Sequence, residues 1–450
     1  MSKIDKSKLR FDNRFLATLI VPILIENILN VTIGMADTMM VASAGEATVS
    51  GVSLIDSLGA LYIFLITAFA TGGAVVCSQY LGRKDSEHAS SAARQLMMMT
   101  IVGFSIACAL MLIFKKQLIS LLFGTIEEDV RTASYAYYNP LMLSVPMLAI
   151  SSAAAAILRT MGKTKVSMVT SLGANLVNVI GNAIFIFGFH MGAFGAGLST
   201  LISRTISAAI LFAVVMQKKH EVNISGLLST KPEGKMISRI TKIALPSGFE
   251  NCIFHVGKIL MTSTISIIGT SAIAAYAVTN SLANFSNLGA QAIGLASITV
   301  IGQCCGAGDT DQALYYGKKL LGLAYIVTII SCALLLIFLS PLISIYSLTG
   351  ESFEIAHSCS TLLFWMTLLV WPLAFTIPHF LRAAGDVKFT MIVSILSMWI
   401  FRVTLARILG VNLGLGLQGV FYAMFVDWFC RLSFFIYRYA KGKWKTMKVI

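Results

Sequence analysis

Charged residues are scarce in this chain: Asp, Glu, Lys and Arg make up 12% of its 450 residues. A water-soluble domain carries about 25%, so an ordinary soluble globule is excluded. Cysteine is present without pattern. Only Cys304 and Cys305 of the eight cysteines are close in sequence; no metal-ligand spacing appears, and no disulfide framework is expected. Nothing matches Gly-x-x-x-x-Gly-Lys-Ser/Thr, so no ATP-binding loop is present and ATP is not the expected fuel. Neither a His/Cys/Asp cluster nor a Ser-His-Asp arrangement is readable, and no enzyme chemistry is expected. The apolar/polar alternation of a membrane β-barrel is missing as well.

Apolar residues, by contrast, make up 57% of the chain. They fall into runs of about 20 residues or more, each long enough to cross ~30 Å of hydrocarbon as a helix. Twelve spans are predicted, near 15–41, 52–80, 93–114, 134–158, 166–189, 194–216, 243–268, 272–302, 319–340, 360–381, 389–410 and 416–437. The fold class is therefore an all-α polytopic membrane protein. The first run is too long for a signal-peptide core and is expected to stay as a helix. Short interfacial helices are expected in the 120s and 340s.

The formal charge of +14 is a topological signal. Of the 34 Lys and Arg residues, 26 lie in the N-terminal tail (Lys3, Lys6, Lys8, Arg10, Arg14), the C-terminal tail and the joints on their side. The opposite joints carry Lys115, Lys116 and Arg131. The positive-inside rule places both termini in the cytoplasm, in a cell (inner or plasma) membrane. The basic joints would meet anionic lipid, and nucleic acid is not an expected partner.

The second half repeats the first. At an offset of 224 residues Pro22, Glu26 and Asn27 fall on Pro246, Glu250 and Asn251, and Gln79, Gly82, Asp85 and Ala89 fall on Gln303, Gly306, Asp309 and Ala313. At 223, Arg159-x-x-Gly162-x-x-Lys165 falls on Arg382-x-x-Gly385-x-x-Lys388. Each half holds six spans, so both start on the same side. Parallel repeats of this kind are related by a pseudo-two-fold axis along the membrane normal. The expected organisation is a six-helix lobe over 1–218, a cytoplasmic linker over 219–242 and a second six-helix lobe over 243–450. Two such lobes rocking about a central cleft make an alternating-access transporter.

An ionisable residue inside a span points to function. Asp37 lies near the outer end of span 1. Asn178 and Asn182 sit one turn apart on span 5 and share a face, and Thr200 lies just inside span 6. At ~1.5 Å per residue the four reach similar depth in the outer half. One carboxylate, two amides and a hydroxyl could bind H⁺ or Na⁺, with Na⁺ at Asp37, Asn178 and Asn182. Each Asn or Thr taken alone reads as interhelical glue, worth about 0.6 kcal/mol. Glu26 and Glu250, four residues after matching prolines, suggest a shared lobe-building role or a second ion site. Lys258 falls on Gly34 and breaks the repeat. Asp427 and Arg431 are spaced to pair on span 12, within reach of Arg402.

These motifs together resemble one family. Pro22…Asp37-Thr38…Gly45, Gln79-x-x-Gly82…Asp85, Arg159-x-x-Gly162, Asn178-x-x-x-Asn182…Gly188 and Gly192-x-x-Gly195-Ala196 look like the multidrug and toxic compound extrusion (MATE) family, bacterial type. The resemblance spans nearly the whole chain. It implies a twelve-helix, two-lobe exporter that exchanges H⁺ or Na⁺ for organic cations and amphipathic drugs. No other cofactor is implied, and a monomer is expected. In one branch of the family an acid on helix 1 joins an Asn, an acid and a Thr on helices 5 and 6; Asp37, Asn178 and Thr200 match, and Asn182 stands where the second acid would be. Another branch uses an acid on helix 7, where this chain has Phe254. The rival expectation is a lipid-linked saccharide flippase of the same architecture, which would favour several cations lining its cleft.

Overall fold

The computed structural model describes residues 9–124 and 127–450; Lys3, Lys6 and Lys8 lie outside the described residues. Among the described residues twelve helices are long and apolar enough to cross a membrane, one for each predicted span. With two short helices included they are α1 (Asn13–Ala42), α2 (Glu46–Gly82), α3 (Ser86–Ile113), α4 (Lys115–Phe123), α5 (Glu128–Thr160), α6 (Thr164–Gly188), α7 (Gly192–Val215), α8 (Gly234–Ile268), α9 (Thr270–Gly306), α10 (Thr310–Ile337), α11 (Leu339–Ile345), α12 (Glu351–Ala383), α13 (Val387–Asn412) and α14 (Gly416–Lys441). The chain is thus an all-α, multi-pass membrane protein. α4 and α11 are the expected short helices. Most spans run longer than predicted because polar turns at their ends, such as Thr310 to Lys318 before the apolar part of α10, stay helical beyond the hydrocarbon-length core. All eight cysteines are free thiols.

The internal repeat is visible in the packing. Val102, Ile106, Leu110 and Ile113 form an exposed apolar stripe on α3, and Ile326, Ile330, Leu334 and Ile337, each 224 residues later, form the same stripe on α10. Large apolar residues at helical spacing on an outer face are what a lipid-facing surface requires, since hydrocarbon replaces water there. The helix starts repeat too. Asp85 accepts from the amide of His88 at the start of α3 (3.1 Å), and Asp309 accepts from that of Gln312 at the start of α10 (2.9 Å). Each carboxylate satisfies one of the amides that a helix N-terminus leaves free.

The helices form two compact units, Asn13–Gly248 and residues 9–12 with Phe249–Ile450. The division falls inside α8. In the first unit the segment expected as a linker, 219–242, is packed down. Val222, Ile224, Met236 and Ile240 are fully buried. The amide of Asn223 donates to Ser90 Oγ (3.2 Å), Gln95 Nε2 donates to the carbonyl of Lys231 (2.7 Å), and Arg239 bonds the Tyr80 hydroxyl. Gly72 lets α8 approach α2: a Cβ there would sit 2.9 Å from the Ile240 carbonyl oxygen. In the second unit the amide of Phe11 donates to Tyr316 Oη (2.7 Å), which donates back to the Phe11 carbonyl (2.6 Å). These paired bonds fasten residues 9–12 to α10.

Candidate functional site

α1 and α6 meet along a polar seam in the first unit. Glu26 and Asn30 on α1 lie one turn apart, and Asp37 continues their face two turns on. On α6 the matching stripe is Ser167, Ser171, Asn175, Asn178 and Asn182. Ser167 Oγ donates to Glu26 (3.4 Å), and Ser171 Oγ and Asn175 Nδ2 both donate to Asn30 Oδ1 (3.2 and 3.0 Å). At the far end Asn182 Nδ2 donates to Asp37 Oδ1. Three- and four-residue steps on both helices keep the seam continuous, so the sequence period itself builds it.

α7 closes the site from the other side. Asn178 Nδ2 lies 3.4 Å from both Ser199 Oγ and Thr200 Oγ1, and Ser199 Oγ donates to the Asn178 carbonyl (2.6 Å). This close approach needs Gly181, where an added Cβ would come within 2.5 Å of Ser199 Oγ. The structure therefore brings all four predicted residues into one group: Asp37 with Asn182, and Asn178 with Thr200. Asn182 is fully buried, and its carbonyl oxygen Oδ1 has no hydrogen-bond partner. A buried amide oxygen left unpaired is costly, and native structures rarely tolerate one without a reason. Just past Asn182 the helix widens into π turns over Ala183–Gly188, a feature that recurs at functional sites.

Three further residues join the group, and the sequence reading missed them. Asp56 on α2 accepts a hydrogen bond from Tyr137 Oη of α5 (2.9 Å). Arg204 on α7 lies within electrostatic reach of Asp37, Asp56 and Tyr137, and its Nη1 donates to Ser144 Oγ (2.8 Å). The site thus holds two carboxylates and one guanidinium. The available signal was simple: Arg204 is an ionisable residue in the middle of a predicted span, and Asp56 falls within the first turns of another.

The other predicted residues lie elsewhere. Glu26 pairs with Arg159 (3.1 Å), and Glu250 with Arg382 (2.7 Å). These acids and arginines are the residues that the repeat superposes, so each unit carries the same ion pair. The expected pairing in the second unit is present: Asp427 contacts Arg431 at 2.8 Å and Arg402 at 3.0 Å, nearly out of contact with solvent. Lys258 makes no ion pair among the described residues; its ammonium lies 5.7 Å from the Phe254 ring. Among the described residues no group of three or more His, Cys, Asp and Glu could hold a metal ion.

A twelve-helix membrane chain with a doubled six-helix plan and a buried polar site in one unit has the form of a secondary transporter. The model of the MatE family matches it twice, over residues 22–184 and 246–408, so the two matches carry the same 224-residue offset as the repeat. The chain belongs to this family. It is 28% identical over 414 residues to the uncharacterized transporter YisQ of Bacillus subtilis, covering 90% of this chain and 89% of that one. It is 24% identical to the probable multidrug resistance protein NorM of Thermotoga maritima, covering 97% and 94%. A solved structure of MATE in complex with MaL6 superposes with a TM-score of 0.89 at 18% identity, over 96% of this chain and 97% of that one. The relatives are transporters rather than enzymes.

Proposed function

We propose that this protein is a secondary multidrug exporter that exchanges H⁺ or Na⁺ for organic cations and other amphipathic drugs. The observation that carries the reading is the buried carbonyl oxygen of Asn182, unpaired beside the Asp37 carboxylate. A carboxylate and a free amide oxygen are hard donors suited to a proton or a small hard cation. The Asn178 and Thr200 side chains extend the same group. The names of the NorM and MepA relatives, multidrug resistance and multidrug export proteins, support the choice of cargo. In this account the cation is a substrate of the exchange. It drives the cycle because it binds one conformer of the chain more tightly than the other. The protein works as a monomer in the plasma membrane with both termini in the cytoplasm.

The test is transport in proteoliposomes under an imposed Na⁺ or pH gradient. Uptake of a fluorescent organic cation by inside-out protein, driven by one of these gradients, is the expected result and identifies the ion. Uptake that ignores both gradients would sink the exchange reading.

A further inference from the structure

In the second unit three cations crowd one aromatic ring. The Arg431 guanidinium lies 5.1 Å from the Phe254 centroid, Arg402 lies 5.4 Å away and the Lys258 ammonium 5.7 Å. Among the described residues the one carboxylate in ion-pair contact with them is Asp427. The other acids of this unit among the described residues lie elsewhere: Glu250 on Arg382, Asp386 on Arg438, Asp309, Asp311, Glu351 and Glu354 at helix starts, and Asp12 in the segment fastened to Tyr316. The cluster therefore carries two more positive than negative charges.

Two of the three cations are also short of hydrogen-bond partners. Arg431 is anchored through Nε on Asp427 and Nη2 on the Ser394 carbonyl (2.9 Å). Arg402 is 5% exposed, yet its buried Nε faces Asp427 at 3.0 Å without forming an aligned hydrogen bond. Lys258 is exposed, and among the described residues its ammonium has no partner beyond the ring. A buried guanidinium that faces its carboxylate without an aligned hydrogen bond, beside an ammonium that holds no ion pair, calls for an anion. Guanidinium and ammonium donors suit an oxyanion, and the ring beneath suits an apolar body.

The repeat says why the cluster sits there. At the 224-residue offset Phe254, Lys258 and Arg402 replace Asn30, Gly34 and Asn178 of the first unit's seam. At this interhelical position, α8 against α13, an amide has given way to a guanidinium, a glycine to an ammonium and a second amide to the aromatic ring between them. We propose that it is a binding site for an oxyanion, a carboxylate, sulfonate or phosphate, borne by an amphipathic ligand, with Arg402 and Lys258 as its donors and Arg431–Asp427 as their fixed support. That such a ligand is cargo rests on the exporter reading. Its binding does not, so an equilibrium measurement separates the two.

The probe is dansylglycine, compared with its methyl ester, titrated by fluorescence against the full-length protein in lipid nanodiscs. The acid is expected to bind about tenfold tighter than the ester, the scale of one charge-assisted hydrogen bond. Lys258→Gln should shrink that ratio several-fold, and Arg402→Gln should abolish it, with ester binding unchanged. Lys258 holds no ion pair, so its variant stays informative if Arg402→Gln fails to fold. Inorganic phosphate assigns the source: displacement of the acid by phosphate marks a site open to free oxyanions, and resistance to phosphate marks one that needs the apolar body. Equal affinity for acid and ester, or a ratio untouched by Lys258→Gln, overturns the proposal.

Discussion

The amide of Asn182 donates to the carboxylate of Asp37, joining residues 145 positions apart. The donor is spent on Asp37, and the buried acceptor oxygen of the same amide is left open. Asn182→Asp replaces that donor with a second carboxylate beside the first. Two adjacent carboxylates cannot both ionise freely, so one holds a proton unless a cation takes its place. The variant is expected to show a stronger dependence of transport on Na⁺ or pH than wild type, read from initial rates at varied ion concentration. An unchanged ion dependence would remove Asn182 from the coupling site.

Gly181 sets the spacing of α6 and α7. Gly181→Ala forces its new methyl against Ser199 Oγ, where overpacking costs about 1–3 kcal/mol. Gradient-driven transport should fall sharply while the protein still inserts and folds, checked by thermal unfolding in detergent. The control is Gly103→Ala, where nothing lies within 4 Å of the added atom.

The repeated ion pairs test differently. Removing one partner of a largely buried pair costs about 3–5 kcal/mol. Glu250, the more buried of the two acids, has a side chain 8% exposed against 12% for Glu26. Glu250→Gln should therefore lower the unfolding midpoint more than Glu26→Gln, and neither should alter which ion drives transport. A switch of ion preference in either variant would make that pair part of the coupling machinery.

A fourth prediction concerns pH outside the membrane. The amide of His88 donates to Asp85 and holds its carboxyl below the usual carboxylate range. A folded-state pKa below the unfolded value gives stability that is present above about pH 4 and is lost as pH falls through the lower folded value. Asp85→Ala should cost about 1 kcal/mol at neutral pH. The difference between variant and wild type should close in strong acid, as measured by thermal unfolding across pH.

Much of this was legible in the sequence because hydrocarbon leaves few options. Apolar runs gave twelve helices, and the offset of Glu26 to Glu250 and Arg159 to Arg382 gave two copies of one six-helix plan; that these residues pair within each copy came from the structure. The grouping of Asp37, Asn178, Asn182 and Thr200 followed from depth counting and from resemblance. Asp56 and Arg204 were harder to place. Their roles depend on which helix faces which, and only packing puts Tyr137 against Asp56 and both carboxylates near Arg204. The packing of the segment 219–242 was hidden for a related reason. The burial of Val222, Ile224, Met236 and Ile240 depends on α2 and α3, against which the segment packs, and their place is not written in its own residues.

The central claim is that Asp37 binds the cation that drives export. Its most direct test is simultaneous measurement of ion influx and organic-cation efflux in proteoliposomes, comparing wild type with Asp37→Asn. The account predicts linked fluxes in wild type and loss of both in the variant, with the folded protein still binding the organic cation. Linked fluxes that persist in Asp37→Asn would contradict it and move the coupling to another group, with Asp56 the first to examine.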